Sequence, residues 1–129
     1  MASTKLAFLA VAVLLLQCAV AQQAGTPAVM ALTSFEDGDP TACDGQYPSN
    51  DDLVVALSTV WFKDATMCHR KIRITNSLPN GLNLVAEVVD ECDTQSGCKD
   101  NMIATSKRVW KALGLDTNLG EVPVTWSIA

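Results

Sequence analysis

The stretch that most constrains the fold is Ile72–Asp93, IRITNSLPNGLNLVAEVVDECD. Ile72 and Ile74 alternate with Arg73 and Thr75, Pro79-Asn80-Gly81 interrupts, and Leu82, Leu84, Ala86 and Val88 resume a period of two. That period marks strands with one buried face. Asn tolerates and Gly favours positive φ, and Pro79 cannot donate to a ladder, so the interruption is a turn and the stretch a β-hairpin. From Val85 onward both faces are apolar except at Glu87, which predicts a strand entering a core covered on two sides. It ends in Asp90, Glu91 and Asp93 around Cys92. Such an end can deliver carboxylates to the rim of a site, or be a solvated strand end beside a disulfide.

The compartment follows from the other end of the sequence. Residues 1–21 hold one basic residue, Lys5, an apolar run from Leu6 to Leu16 and the small-x-small sequence Ala19-Val20-Ala21. These are the parts of a secretory signal peptide, and the run is too short to span a bilayer. Its removal leaves 108 of 129 residues and four of five cysteines. It also leaves eight Lys and Arg against fourteen Asp and Glu, a net charge of −6. That balance excludes a general electrostatic footprint for nucleic acid or anionic membrane. The length suits one domain with one core. The expected location is extracellular.

Cys43, Cys68, Cys92 and Cys98 form an even set in an oxidising compartment, which points to two disulfides. A four-thiolate zinc site would want a C-x-x-C pair, which is absent. Three connectivities are open, and the preferred one joins Cys43 with Cys68 and Cys92 with Cys98. In the chain-entropy picture those loops contribute about 3.5 and about 2.4 kcal/mol.

Taken in order, residues 22–31 read as a flexible leader, with strand character beginning near Met30 and running to Phe35. Residues 36–52 are loop by composition, and their acids lack the spacing of an EF-hand. Leu53–Phe62 reads as a second core strand, or a strand running into a bend, ending in Trp61 and Phe62, which are either core or a stacking platform for a ligand. His69, the only histidine, lies in a loop beside Cys68 with no nucleophile context, which suits an exposed residue rather than a catalytic base. About Thr105–Leu113 is the one helix expected. Thr105 or Ser106 would cap it, Val109, Trp110 and Leu113 share a face, and Gly114 ends it. Glu121–Ser127 reads as a closing strand. Several strands with one late helix imply a small β-barrel.

Five blocks in one order, TSFEDGDPTACDG, VVALSTVWF, VAEVVDECD, SKRVWKALG and VPVTWS, resemble the plant kiwellin and ripening-related proteins, which in turn resemble barwin-like and expansin-like folds. The resemblance runs from about Leu32 to the C-terminus. It implies a mainly β, six-stranded double-psi β-barrel with one short late α-helix, stapled by disulfides, over residues 32–129. It also implies a secreted, apoplastic, non-catalytic protein of ripening and defence that binds secreted pathogen or apoplastic proteins. Larger kiwellins carry a cysteine-rich N-terminal module that has no counterpart in these residues.

By motif position Asp90 is the counterpart of the groove aspartate of expansins. The HFD tripeptide of that family is VVD here, with Val88 two residues before Asp90. A glycosidase needs a carboxyl acid and a second carboxylate at a defined separation. Asp93, Asp44 and Glu91 are the available partners. The reading adopted is that no residue is catalytic, no cofactor or metal is used, and Asp90, Asp93, Asp44 and Trp61 are candidate groove or binding residues. Binding of cell-wall polysaccharide, and weak polysaccharide cleavage through Asp90, are the alternatives. A rim aspartate that only holds crossing loops by hydrogen bonds would also explain Asp90.

Overall fold

The computed structural model describes residues 25–129. The expected signal peptide and Gln22–Ala24 lie outside the described residues.

Six strands form one closed ring. In sequence order they are β1 (Thr26–Leu32), β2 (Val54–Ser58), β3 (Lys71–Asn76), β4 (Asn83–Cys92), β5 (Met102–Thr105) and β6 (Glu121–Ile128). Around the ring the order is β1-β5-β2-β4-β3-β6. The pairs β1/β5 and β2/β4 are parallel and the other four are antiparallel. Two short helices interrupt the strands, α1 (Thr59–Phe62) and α2 (Lys107–Ala112).

The hairpin read from sequence is β3 and β4, with Ile72 opposite Ala86 and Ile74 opposite Leu84. Ile72, Ile74, Ala86 and Val88 point into the ring and are buried. Burying each isoleucine contributes about 1.5–3 kcal/mol. Gly81 takes the positive φ the turn needs, +62°.

Three expectations are corrected. The leader was placed over residues 22–31 and the domain from residue 32, yet β1 begins at Thr26 and is paired on both sides. Ala28 and Met30 fill the interior, and β1 stops at Leu32 instead of reaching Phe35. Gly25 and Pro27 suggested a loop, but Pro27 sits beyond the reach of β5, whose pairing begins at Val29, so its missing N–H breaks no ladder bond on that side. Among the described residues there are two helices where one was expected, because over 53–62 the strand ends at Ser58 and the alternative bend is a turn of helix. The buried Ser58 hydroxyl donates to the Asp100 carbonyl at 2.7 Å, and α1 then carries Phe62 back into the core.

The late helix runs over Lys107–Ala112 with Ser106 in the cap position. The Ser106 hydroxyl donates to the Asp52 carbonyl at 2.6 Å instead of capping the helix. The exit is a Schellman turn: Leu115 N–H bonds the Trp110 carbonyl, Gly114 N–H bonds that of Lys111, and Gly114 lies at φ +69°.

Because β2 and β5 are antiparallel, the helices that follow them lie at opposite ends of the ring. At one end Phe62 and Met67 close the core. At the other Val109, Trp110, Leu113 and Leu115 do so. The backbone leaves α1 through three consecutive left-handed residues, Lys63, Asp64 and Ala65 at φ 52°, 51° and 69°. Non-glycine residues there cost about 1–2 kcal/mol each. The buried Phe62 and Met67 on either side, and the bridge at Cys68, hold the turn in place.

Candidate functional site

Strand β4 is covered on both faces, and the outer cover builds the site. Residues 33–45 cross the outside of β2, β4 and β5. Phe35 is buried there against Val54, Ala56, Val89 and Ala104. Asn50 pins this loop: its Oδ1 accepts the Phe35 N–H at 2.8 Å, and its Nδ2 donates to Ser34 Oγ at 3.0 Å.

A bulge sets the direction of Asp90. On β2, Val55 lies opposite Val88, but the next residue, Ala56, lies opposite Asp90, leaving Val89 as the extra residue. Strict alternation from Ala86 and Val88 would aim Asp90 into the core. The bulge instead places it with Val89 and Ala56 on the outer side, as bulges re-aim side chains. There its Oδ1 accepts the Ala42 N–H at 2.8 Å.

Asp90 borders a cleft of about 90 Å³ with Asp39, Glu91, Thr41, Ser34 and Thr33 on its walls. Of the candidates named from sequence, Asp90 and its neighbour Glu91 reach this cleft, while Asp44, Asp93 and Trp61 do not. Asp93 is exposed and caps a turn of 3-10 helix, accepting the Gln95 N–H at 2.9 Å. Trp61 is half-buried against the core, with its ring 5.3 Å from that of Trp126 at an interplanar angle of 68°. An edge-to-face partner on the core side makes Trp61 a packing residue.

Asp44 belongs to a neighbouring cluster around the Cys43–Cys68 bridge. It accepts the Thr41 hydroxyl at 2.8 Å and the Gln46 N–H at 3.1 Å. The Thr41 bond first, then the Gln46 bond, hold its carboxyl below the usual aspartate value; burial opposes them, and the nearby His69 adds the least. His69 Nε2 lies 3.9 Å from Asp44 Oδ2, and Nδ1 lies 3.2 Å from Glu87 Oε2. Lys71 approaches the other Glu87 oxygen at 3.6 Å. His69 stands at φ +64°, fixed by its N–H bond to the Val88 carbonyl at 2.7 Å.

The second bridge, Cys92–Cys98, closes the loop after β4. Sequence reasoning missed Asp39 and Thr41 as cleft residues and His69 as the partner of two carboxylates. The one signal available was that Asp44 and His69 each directly follow a cysteine of the same bridge. Among the described residues no group of three or more His, Cys, Asp or Glu is arranged to hold a metal ion. No helix among them is long and apolar enough to cross a membrane.

The protein is similar to known proteins over most of its length. A relative from Oryza sativa subsp. japonica that carries a ripening-related name is 60% identical over 110 residues, covering 81% of this chain and 65% of the relative. The kiwellin of Actinidia chinensis var. chinensis is 40% identical over 126 residues, covering 87% of this chain and 58% of that protein. The sequence thus spans less than two thirds of the length of these relatives. Among solved structures, an aspartate-to-asparagine mutant of a Clavibacter michiganensis expansin in complex with cellohexaose is 26% identical with a TM-score of 0.63. That match covers 81% of this chain and 50% of the expansin. The Kiwellin-1 family model matches residues 12–129. The protein therefore belongs to the kiwellin and ripening-related family.

Proposed function

We propose that this is a secreted, non-catalytic binding protein whose partners are other secreted proteins of the apoplast or of a pathogen. Residues 1–21 direct it there, and its ring is a double-psi barrel, a reading supported by the two parallel pairs β1/β5 and β2/β4. Family membership supports a ripening or defence setting.

The observation that carries the non-catalytic reading is the engagement of Asp90. Its carboxylate holds the covering loop through the Ala42 N–H, beside a cleft of about 90 Å³. Small-molecule sites commonly enclose about 300–1,000 Å³. Asp39 and Glu91 border the same cleft, yet its volume leaves little room for a sugar between acid and base. Loops that cross a rigid ring, fixed by a disulfide, are a scaffold for protein recognition.

The test is to incubate the secreted protein with cellulose, pectin and chitin and to titrate it against purified secreted enzymes of plant pathogens. Saturable protein binding with no sugar release is expected. Sugar release abolished by Asp90→Asn would overturn the reading.

A second reading, binding of cell-wall polysaccharide, is favoured by one observation, the likeness to the expansin bound to cellohexaose. Sedimentation with cellulose at modest salt checks it. Trp61 does not support it as a stacking platform, because the residue packs on Trp126.

A further inference from the structure

The turn between β3 and β4 combines a reactive sequence with a restraint built from four other residues, Asn76, Leu78, Leu82 and Leu113. Of the six asparagines, Asn80 alone precedes a glycine. In a flexible polypeptide that pair condenses with itself, because a glycine amide nitrogen carries no neighbouring Cβ to shield it from the asparagine Cγ. An added Cβ at Gly81 would meet nothing within 4 Å, so no side chain covers the Gly81 Cα.

Hydrogen bonds protect it instead. Asn80 Oδ1 accepts the Leu82 N–H at 2.9 Å and Asn76 Nδ2 at 3.0 Å. Asn80 Nδ2 donates to the Leu113 carbonyl, at the exit of α2, at 3.2 Å. The Gly81 N–H is turned to the Leu78 carbonyl at 3.2 Å. Asn76, 2% exposed, donates to the same Leu113 carbonyl at 3.3 Å. The nucleophile and the carbon it would attack are each tied elsewhere.

We propose that Asn80–Gly81 is a site of self-modification that the fold holds off, and that its conversion releases the β3–β4 turn from the end of α2. In the reaction the Gly81 nitrogen bonds to Asn80 Cγ, and the Cγ–Nδ2 bond breaks. The amide nitrogen leaves as ammonia with the proton from the Gly81 nitrogen. One water then opens the cyclic imide at either carbonyl, giving an aspartyl or an isoaspartyl residue at position 80. No oxidant or cofactor enters. Either product loses the Nδ2 donor to Leu113, and the aspartyl product also sets a carboxylate oxygen against its carbonyl. The isoaspartyl product also inserts a methylene into the turn. The turn therefore records whether this end of the ring has opened.

The test is peptide mapping by mass spectrometry, during incubation at mildly alkaline pH, of the folded oxidised protein and of the same protein reduced in urea. Conversion at Asn80 is expected to be at least about tenfold slower in the folded protein, as for a group reached only by local opening. Asn76→Ala, which keeps the Asn-Gly pair but removes the Asn76 bonds to Asn80 Oδ1, to the Leu113 carbonyl and from the Leu78 N–H, is expected to convert faster than wild type while oxidised. Equal rates in the folded and unfolded protein, no conversion at Asn80 in the unfolded protein, or an unchanged rate in folded Asn76→Ala would each overturn the proposal.

Discussion

The Asp90 carboxylate receives the Ala42 N–H at 2.8 Å, joining residues 48 positions apart in the sequence. This bond ties the covering loop to the bulged edge of β4, and the loop in turn keeps Phe35 over Val89 and Ala56. A charge-assisted bond of this kind is stronger than a neutral one.

Removing the Asp90 acceptor therefore loosens the loop. Asp90→Ala is expected to cost about 1–2 kcal/mol. Asp90→Asn keeps an acceptor oxygen and should lose less. Urea unfolding of the two variants beside wild type checks the order, and equal midpoints would refute it.

The bridges differ in the loops they close. Cys43 and Cys68 are separated by 25 residues, Cys92 and Cys98 by 6. Paired replacement by serine is expected to cost about 3.5 kcal/mol for the first and about 2.4 kcal/mol for the second. Thermal unfolding of each double variant measures this, with the larger fall expected for the Cys43–Cys68 pair.

Asp44 gives the fold a dependence on pH. The Thr41 hydroxyl, the Gln46 N–H and His69 depress its folded pKa below the ordinary 3.8. A depressed carboxyl contributes stability above its unfolded pKa and loses it as pH falls through the folded one. Wild type should accordingly exceed Asp44→Asn in stability near neutrality, and the difference should vanish in strong acid. Unfolding midpoints of both proteins across that range supply the measurement.

Trp61 and Trp126 meet edge to face. Trp61→Ala should destabilise by about 2 kcal/mol, from lost burial plus the aromatic pair itself. The near-ultraviolet circular dichroism of the remaining pair partner should change. Affinity for insoluble polysaccharide, if measurable in wild type, should be unaffected in variants that remain folded.

The hairpin was legible because Ile72, Ile74, Ala86 and Val88 keep a strict period of two up to the bulge. The helix around Val109 and Trp110 was legible for the same kind of reason, with Gly114 marking its end. Two features were not. Thr26–Leu32 carries a proline and a glycine neighbour that argue locally for a loop, and only its two distant partners, β5 and β6, make it a strand. The outward turn of Asp90 depends on one extra residue opposite β2, and no local pattern in β4 announces it. The cleft shared that fate, since Asp39 and Thr41 come from a loop whose composition says only that it is solvated.

The ring order puts the first strand between the last two, β5 and β6. During synthesis Thr26–Leu32 emerges early and then waits for partners that the ribosome adds much later. Its edges stay open until those partners are made, and pairings so distant are slow to form. Closure of the ring therefore needs the last strand, and truncation before Glu121 would leave β1 unpaired on one side and β3 on another.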